Sequence, residues 1–426
     1  MKADARRVVL QLLAREHGFP TRAFPDVADK AGLDDRDRAL AREILAGTIR
    51  MQRALDATFT PFCKKKKMDP MVRWTLRMGV YQMLYLDRIP AHAAVDATLR
   101  AASPFIRHAK GFANAILRSV ERAHSESPQE FFEKAWCRAS KGPLDRISVE
   151  HSFPTFLVER WTQEVGSDIC LQRLQALNGP APMALRANIL RSTAKQVQVE
   201  LLECGVQAEK AESVNTLLLP ASRDPRSLPG FVEGMWSVQD VTSQESAALA
   251  KPKAGERILD LCAAPGGKSF ACFELSNGKA EIHACDLDAQ RLKSLSPDAD
   301  RLGHNIHTHE IDSDGSGVPN GEWDLILLDV PCSNTGVLGK RPEARWRFNK
   351  KSLMQSVENQ RKIARTAFRL FTPGKTRILW STCSLEPEEN SEMAKFFTKE
   401  AKLELSEERL FEPTNRRAGG YAALLK

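Results

Sequence analysis

The sequence predicts a multidomain protein with an all-α domain over residues 1–145, a small α+β subdomain over 146–245 and an α/β domain over 246–426. Three observations predict this division. Apolar residues repeat at helical spacing, with no strand signal, through the first third of the chain. Helix-like and strand-like segments alternate in the middle. From Gly255 onward, near-continuous apolar strands alternate with helices, which is typical of a parallel sheet covered on both faces.

Composition limits the class of protein. The chain has 426 residues, 42% of them hydrophobic, and a formal charge of +8, which is compatible with a nucleic-acid partner. Nine cysteines occur without any C-x-x-C pair, so zinc-ribbon and disulfide-framework spacings are absent. No apolar run approaches the roughly 18 residues needed to span a bilayer, and the start lacks a secretory h-region. We therefore expect a reducing, cytoplasmic compartment and no membrane partner.

The first domain is expected to contain about five short helices. Asp69 precedes "PMVRWTLRMGVYQMLY" as an N-cap, with Pro70 at the first helical position. The lysine run 64–67 just before it has two interpretations, a phosphate-binding patch or a solvated loop, which the sequence leaves open. In the middle subdomain "GPAPMALRANIL" is expected to form a turn followed by a strand, and "NTLLLPA" and "GMWSVQD" are expected to form short strands. "TAKQVQVELLECG" is expected to form a helix closed by Gly205.

Five strands are predicted in the last domain: "RILDLCAA", "AEIHACDLD", "NIHTHEID", "WDLILLDVP" and "TRILWSTCS", with "GGYAALLK" as a further strand at the end. The first runs into "DLCAAPGGKS", a strand, a glycine turn and a helix start. A P-loop would need glycine at Cys262, and G-x-G-x-x-G is absent, so phosphate-anchored nucleotides are disfavoured. A nucleoside without pyrophosphate remains, and S-adenosylmethionine fits.

Acidic residues end the next two strands. Asp286 could accept hydrogen bonds from both ribose hydroxyls, and Asp312 could meet an adenine amino group. Asp288 is an alternative for the ribose, or a helix-capping acid. His304, His307 and His309 cluster nearby, but a strand splits such spacing between faces, so no metal site is expected.

Two cysteines stand at the mouths of two predicted strands, Cys332 in "DVPC" and Cys383 in "STCS". Methylation of cytosine at C5 needs a thiolate that adds to C6, a group that bonds the base at N3, and a base or second thiol that completes the reaction. Asp329 could serve as the group at N3. The alternative is a pair of buried core cysteines, but two at neighbouring strand ends favour the catalytic interpretation, without ranking the two sulfurs.

The segment between the cysteines is basic, with nine basic residues against two acidic from Arg341 to Arg369. Trp346 and Phe348 interleave with its first half. For residues 341–347 we expect phosphate contacts and base stacking with RNA. For residues 361–369 an ordinary basic helix surface is equally plausible.

"DLCAAPGGKS", "LLDVPCSNTGVLGKRPEARWR" and "STCSLEPEEN" resemble the RNA 5-methylcytosine methyltransferases of the Nol1/Nop2/Sun family. "PAHAAVDATLRAA" and "KGFANAILRSV" resemble a NusB-like helical domain, a combination similar to the RsmB (Sun) type. The resemblance implies a Rossmann-like S-adenosylmethionine-dependent domain acting on cytosine C5 of 16S rRNA or a small-subunit precursor. It implies Cys383 as the nucleophile and Cys332 as the cysteine that assists product release. The implied cofactor-binding residues are Cys262, Ala263, Ala264, Pro265, Gly266, Gly267, Lys268, Asp286, Asp312 and Asp329.

The sequence departs from the family pattern at Val330, where alanine is usual, and at Asn334, where glycine is common; asparagine, like glycine, tolerates αL geometry. Two rival functions stay open: the same chemistry on tRNA, and a non-catalytic RNA-binding assembly factor. The sequence does not indicate an oligomeric state.

Overall fold

The computed structural model describes residues 4–15, 19–64, 67–179, 182–213, 215–219 and 223–426. The chain divides into two compact units. The first comprises Met1–Asn178 together with Lys340–Trp346, and the second comprises Gly179–Gly339 with Arg347–Lys426. No helix among the described residues is long and apolar enough to cross a membrane. The lysine run 64–67 lies partly outside the described residues, and its two interpretations stay open.

The first unit is helical. Within its described residues there are ten α-helices, more than the number expected from the sequence. They are α1 (Ala5–Leu13), α2 (Pro20–Lys30), α3 (Asp35–Arg50), α4 (Gln52–Phe59), α5 (Pro70–Tyr85), α6 (Ala91–Ala102), α7 (Lys110–Glu126), α8 (Pro128–Ala139), α9 (Pro143–Glu150) and α10 (Thr155–Asn178). The predicted cap of α5 is confirmed, because the Asp69 carboxylate accepts hydrogen bonds from the amides of Met71 and Val72.

The contacts of the segment Lys340–Trp346 contradict part of the RNA contacts that the sequence predicted for it. Arg345 is fully buried within the helical unit, with its guanidinium 3.8 Å from the centroid of the Phe153 ring. Trp346 donates its indole N–H to the carbonyl oxygen of Ile49 at 2.8 Å, and Phe348 is 6% exposed. Arg345 and Phe348 are therefore not available to hold phosphates or stack bases, and that part of the prediction is wrong, whereas Trp346 is half-buried.

Helix ends explain the burial of Arg345. Its guanidinium donates to the carbonyl oxygens of Ser152 at 3.1 Å and Leu177 at 3.2 Å, and to the Asn178 side-chain oxygen at 2.9 Å. Ser152 lies just past α9, and Leu177 is in the last turn of α10. Carbonyl groups at helix C-termini lack intrahelical partners and carry partial negative charge. Among the described residues no carboxylate forms an ion pair with Arg345, so these carbonyl groups compensate its buried charge.

We expect Arg345→Met to destabilise the helical unit by about 2–3 kcal/mol, because several charge-assisted hydrogen bonds are lost. Hydrogen exchange of peptides from α9 and α10 in the full chain should then become about 30–150-fold faster. The exposed Arg138→Met provides the control and should change exchange little. Equal protection in both variants would show that Arg345 does not support these helix ends.

The second unit begins with a four-stranded antiparallel sheet in the order β2-β3-β1-β4. Its elements are β1 (Met183–Ala187), α11 (Ala194–Glu203), β2 (Glu209–Lys210), β3 (Thr216–Leu219) and β4 (Trp236–Val238). The predicted strands and helix are present. Gly205 follows the end of α11 with φ +72°, a conformation that favours glycine, as the predicted helix closure required.

A seven-stranded sheet completes this unit, in the order β10-β11-β9-β8-β5-β6-β7. Its strands are β5 (Arg257–Asp260), β6 (Glu281–Asp286), β7 (Ile306–Glu310), β8 (Leu325–Asp329), β9 (Arg377–Thr382), β10 (Leu405–Phe411) and β11 (Gly420–Leu425). The helices are α12 (Val241–Leu249), α13 (Gly267–Leu275), α14 (Ala289–Lys293), α15 (Leu295–Leu302), α17 (Lys350–Leu370) and α18 (Ser391–Glu400). The short α16 (Ala344–Arg347) lies mostly in the Lys340–Trp346 segment and so adds to the ten helices of the first unit.

The sheet is mixed rather than wholly parallel. Strands β5 to β9 pair in parallel, whereas β11 pairs antiparallel with β9 and with β10. Strand β10 was not predicted from the sequence. Its residues, "LSEERLF", are mostly exposed, and three of them are charged. Charged residues are common on edge strands, where they discourage pairing with other chains, and they hide the apolar pattern of a strand.

Of the three histidines near β7, His307 and His309 both pack against the ring of His283, with ring centroids 5.0 Å apart in each case, whereas His304 lies elsewhere. His304 is buried against the rings of Phe270 and Phe273, and burial lowers its pKa to about 3. His309 instead accepts or donates a hydrogen bond at 2.9 Å with His283 on the neighbouring strand. Among the described residues no group of three or more histidine, cysteine or acidic side chains is arranged to hold a metal ion.

Candidate active site

The predicted site residues lie at one edge of the large sheet. Strand β5 is flanked by β6 on one side and β8 on the other, and β9 lies beside β8. Because these strands are parallel, their carboxyl ends open at the same edge. The chain order reverses direction at β5, and ligands of open α/β sheets bind in the crevice at such a point.

The loop after β5 is shaped by Gly266 and Asp260. Gly266 has φ +102°, and a Cβ atom there would lie 2.6 Å from the Phe270 ring, so only glycine fits. The buried Asp260 carboxylate accepts hydrogen bonds from Ser269 Oγ at 2.7 Å and the Cys262 amide at 3.2 Å. These bonds join the start of the loop to the first turn of α13. Burial raises the pKa of Asp260 to about 7.

Asp286, at the end of β6, is 5% exposed and faces this loop. Its Oδ2 accepts a hydrogen bond from the Ala264 amide at 3.1 Å, and its Oδ1 accepts one from the Asp288 amide at 3.0 Å. A carboxylate has about four acceptor positions, so each oxygen can still accept a ribose hydroxyl. Asp288 is occupied differently, because it caps α14 by accepting hydrogen bonds from the amides of Gln290 and Arg291. The capping interpretation of Asp288 is confirmed.

The hydrogen-bond acceptors at this edge therefore fit a nucleoside ligand. Asp312 is exposed and follows β7, the strand that pairs with β6. The neighbouring Ile311 amide donates to the backbone oxygen of Asp286 at 3.3 Å, and this bond brings the backbone of Asp312 close to Asp286. Two carboxylates beside a glycine loop provide acceptors for ribose hydroxyls and for an amino group.

Lys268 and Asp329 form an ion pair at the same edge. The Lys268 ammonium lies 2.8 Å from Asp329 Oδ2 and donates to Ser243 Oγ at 3.2 Å. Ser381 Oγ donates to the other carboxylate oxygen of Asp329 at 3.2 Å. The lysine side chain is 7% exposed and the aspartate side chain 40%, so the carboxylate faces the opening while the ammonium fixes it from behind. The sequence-based analysis placed both with the cofactor but did not predict that they pair.

Cys332 and Cys383 come together at the ends of β8 and β9. Their sulfur atoms lie 3.1 Å apart, both thiols are free, and both residues are partly exposed. The two-thiol hypothesis requires that both sulfurs reach the same cytosine ring, and this distance meets that requirement. Asn334 adopts φ +63°, an αL geometry that asparagine tolerates, and its side-chain oxygen lies 3.3 Å from the Cys383 sulfur.

The environment of Cys332 disfavours its thiolate. The hydrogen bond with Cys383, burial, and the negative charge of Glu389 all raise the pKa of Cys332. A cysteine kept as a thiol is a poor nucleophile. The sequence-based analysis did not single out Glu389, although it lies inside the quoted motif "STCSLEPEEN". Arg291, which lies 3.5 Å from Asp286 Oδ2, was also missed, and no sequence pattern indicates it.

Three family models match successive parts of the chain. Residues 4–122 match the NusB family, residues 153–222 match the ferredoxin-like domain of RsmF/B-like methyltransferases, and residues 247–424 match the 16S rRNA methyltransferase RsmB/F model. The predicted fold class is confirmed: a NusB-like helical domain, a small α+β subdomain that is ferredoxin-like, and a Rossmann-like methyltransferase domain.

Similar proteins cover nearly the whole chain. The ribosomal RNA small subunit methyltransferase B of Vibrio vulnificus is 31% identical, over 93% of this chain and 90% of its own length. The protein of the same name from Pasteurella multocida is 32% identical, over 95% of this chain and 88% of its own. Among solved structures, PH0851 has a TM-score of 0.78 at 24% identity, covering 100% of this chain and 98% of its own. NSun6 from Pyrococcus horikoshii, solved with SFG, has a TM-score of 0.58 at 21% identity, covering 65% of this chain and 98% of its own.

Proposed function

The chain belongs to the RsmB/F family of S-adenosylmethionine-dependent ribosomal RNA methyltransferases, and we propose that it methylates C5 of a cytosine in 16S rRNA through a covalent Cys–C6 adduct. One observation carries the proposal: the Cys332 and Cys383 sulfurs lie 3.1 Å apart at the ends of adjacent parallel strands. Two free thiols that close to each other, at the ligand-binding edge of such a sheet, match what the chemistry of C5 requires.

In the proposed mechanism Cys383 is the nucleophile. Its thiolate adds to C6 of the cytosine, which makes C5 enamine-like and able to accept a methyl group. S-adenosylmethionine, when bound, supplies an electrophilic methyl group. The C5 proton is then lost to a base, which expels the Cys383 sulfur from C6 as a thiolate, and Cys332 assists this release of the product. The raised pKa of Cys332, caused by its hydrogen bond with Cys383 and by burial, supports this order, because it disfavours Cys332 as the attacking thiolate.

Asp329 and Lys268 orient the substrate base in this scheme. The Asp329 carboxylate accepts a hydrogen bond from N3–H once cytosine is protonated there, and that proton offsets the negative charge that builds up on the ring when a thiolate adds to C6. Lys268, held by Ser243 and pointing at Asp329, fixes that carboxylate. Both residues were placed with the cofactor on sequence grounds. Their ion pair supports the assignment of both side chains to a position between the cofactor and the cytosine base.

The cofactor residues are assigned by their positions. The loop from Cys262 to Gly267, which includes Ala263, Ala264 and Pro265, contacts the cofactor closely through its backbone. Asp286 accepts the ribose hydroxyls, and Asp312 accepts the adenine amino group. The backbone bonds that fix the Asp286 carboxylate support this assignment, because they orient both of its oxygens before a ligand arrives.

Asp286→Ala should weaken binding of S-adenosylmethionine by about 1–3 kcal/mol, or about 5–150-fold in Kd, because charge-assisted hydrogen bonds to the ribose are lost. Isothermal titration calorimetry with the purified protein measures this directly. Asp288→Asn is the matched control, since asparagine also caps helices well and should leave Kd unchanged. If only the Asp288 variant binds S-adenosylmethionine more weakly, the assignment of the ribose hydroxyls to Asp286 is wrong.

The RNA substrate is tested by comparison. Methylation of purified 16S rRNA, of small-subunit particles and of tRNA by the same enzyme separates the proposed substrate from the tRNA alternative. Mapping methylated cytosines in cells with and without the protein then identifies the position. Activity on tRNA alone would overturn the proposal.

We also propose that the division into residues 1–145, 146–245 and 246–426 is functional, with the first two parts binding RNA in the cytoplasm. The exposed basic side chains of α17, Lys362, Arg365 and Arg369, support an RNA contact in the catalytic part as well.

A further inference from the structure

Glu389 is a carboxylate without solvent beside the cysteine pair. The residue is 0% exposed and lies in the turn between β9 and α18. Within the described part of the chain, its hydrogen bonds come from uncharged groups, and no lysine, arginine or histidine forms an ion pair with it. Burial raises its pKa. A buried carboxylate without a cation costs several kcal/mol, so its presence here calls for a role.

The partners of Glu389 lie on both sides of Cys332. The Ser333 amide donates to Oε1 at 2.9 Å, and Ser333 Oγ donates to Oε2 at 2.5 Å. Gln360 of α17 donates through Nε2 to Glu389 Oε1 at 3.0 Å and to the Pro331 carbonyl at 3.0 Å. The residues before and after Cys332 are therefore fixed by one buried cluster, which leaves the cysteine little freedom.

The same cluster reaches the second cysteine. Ser384, which follows Cys383, has its Oγ 3.0 Å from Ser333 Oγ. The indole N–H of Trp380, in β9, donates to the backbone oxygen of Glu389 at 3.0 Å. Glu389 thus joins the loop that carries Cys332 to the strand end that carries Cys383. Cys332 follows β8 in a loop without regular structure, so it depends on such contacts more than Cys383 does.

We propose that Glu389 is a positioning residue that holds Cys332 for the release step of the reaction, through Ser333 and Gln360. The inference rests on the proposed function, in which Cys332 assists release of the product. It predicts that disturbing Glu389 impairs release of the methylated RNA more than addition of Cys383 to C6. A residue that only stabilised the fold would impair both steps together.

The test uses the full-length enzyme, an RNA that the wild-type protein methylates, and methyl-labelled S-adenosylmethionine. Glu389→Gln places an amide where two donors from Ser333 need acceptors, so the Cys332 loop should shift. We expect multiple-turnover methylation to fall at least tenfold, single-turnover methyl transfer to change less than about threefold, and a labelled protein–RNA adduct to accumulate on denaturing gels. Glu392→Gln, an exposed residue of α18, removes the same charge and should behave as wild type.

Milder variants guard against misfolding of Glu389→Gln. Ser333→Ala removes one hydroxyl bond and keeps the amide, and Gln360→Ala removes the donor to Pro331; each should accumulate adduct to a smaller extent. Loss of methyl transfer and adduct together, in a variant with an unchanged melting temperature, would overturn the inference. So would normal turnover in all three variants.

Cys332→Ala separates the two levels of argument. If it accumulates adduct while the Glu389, Ser333 and Gln360 variants do not, only the positioning inference fails. If it accumulates none, the proposed role of Cys332 fails first.

Discussion

Cys383→Ala should abolish both methylation and the covalent protein–RNA adduct, whereas Cys332→Ala should let the adduct accumulate. The expected loss in the Cys383 variant is at least about 10³-fold, because C5 of cytosine is not nucleophilic until a thiolate has added to C6. The expected loss of turnover in the Cys332 variant is similar, but it arises after methylation, when the Cys383 sulfur must leave.

Denaturing gels with methyl-labelled S-adenosylmethionine distinguish the two variants, since only the Cys332 variant should carry label and RNA on the protein. Cys204→Ala and Cys137→Ala remove exposed cysteines outside the site and should leave activity intact. A labelled adduct in the Cys383 variant and none in the Cys332 variant would reverse the two roles. Cys383→Ser tests the non-catalytic alternative: loss of biological function with unchanged RNA affinity would exclude an assembly factor.

Arg186→Met should lower the free energy of unfolding of the second unit by about 3–5 kcal/mol, because it leaves Glu274 as a buried charge without its partner. Arg186 in β1 donates to both Glu274 oxygens in α13, at 3.0 and 2.7 Å, and the residues are 5% and 2% exposed. Arg186 also donates to the Gly267 carbonyl at 3.0 Å, which joins the ferredoxin-like subdomain to the start of the cofactor helix. Affinity for S-adenosylmethionine should therefore fall as well.

Thermal unfolding measures the effect, with an expected decrease of about 6–20 °C in the melting temperature. Lys251→Ala is the matched control, because it breaks an ion pair with Glu407 at 2.9 Å whose side chains are 65% and 38% exposed, and such pairs contribute less than about 1 kcal/mol. The double variant Arg186→Met, Glu274→Leu should recover at least half of the loss, since no uncompensated charge remains. No recovery would mean that the arginine acts through its bonds to Gly267 and Gln239 rather than through Glu274.

The sequence alone determined much of this protein. Periodicity identified the helical part, and near-continuous apolar runs identified the strands that carry the site. The glycine loop and the position of Asp286 and the two cysteines at strand ends followed from the same runs. These features are local: each depends on residues adjacent in the chain, or on the rule that parallel strands end at a common edge.

Only the tertiary structure decided the rest. Arg345 lies in a basic segment that suggested RNA, yet carbonyls at the ends of distant helices bury it. Lys268 pairs with Asp329, and Glu389 with Ser333, across separations that leave no periodic trace in the sequence. Whether a charged residue faces solvent or a buried partner depends on the long-range contacts that compensate its desolvation, and those contacts exist only in the folded chain.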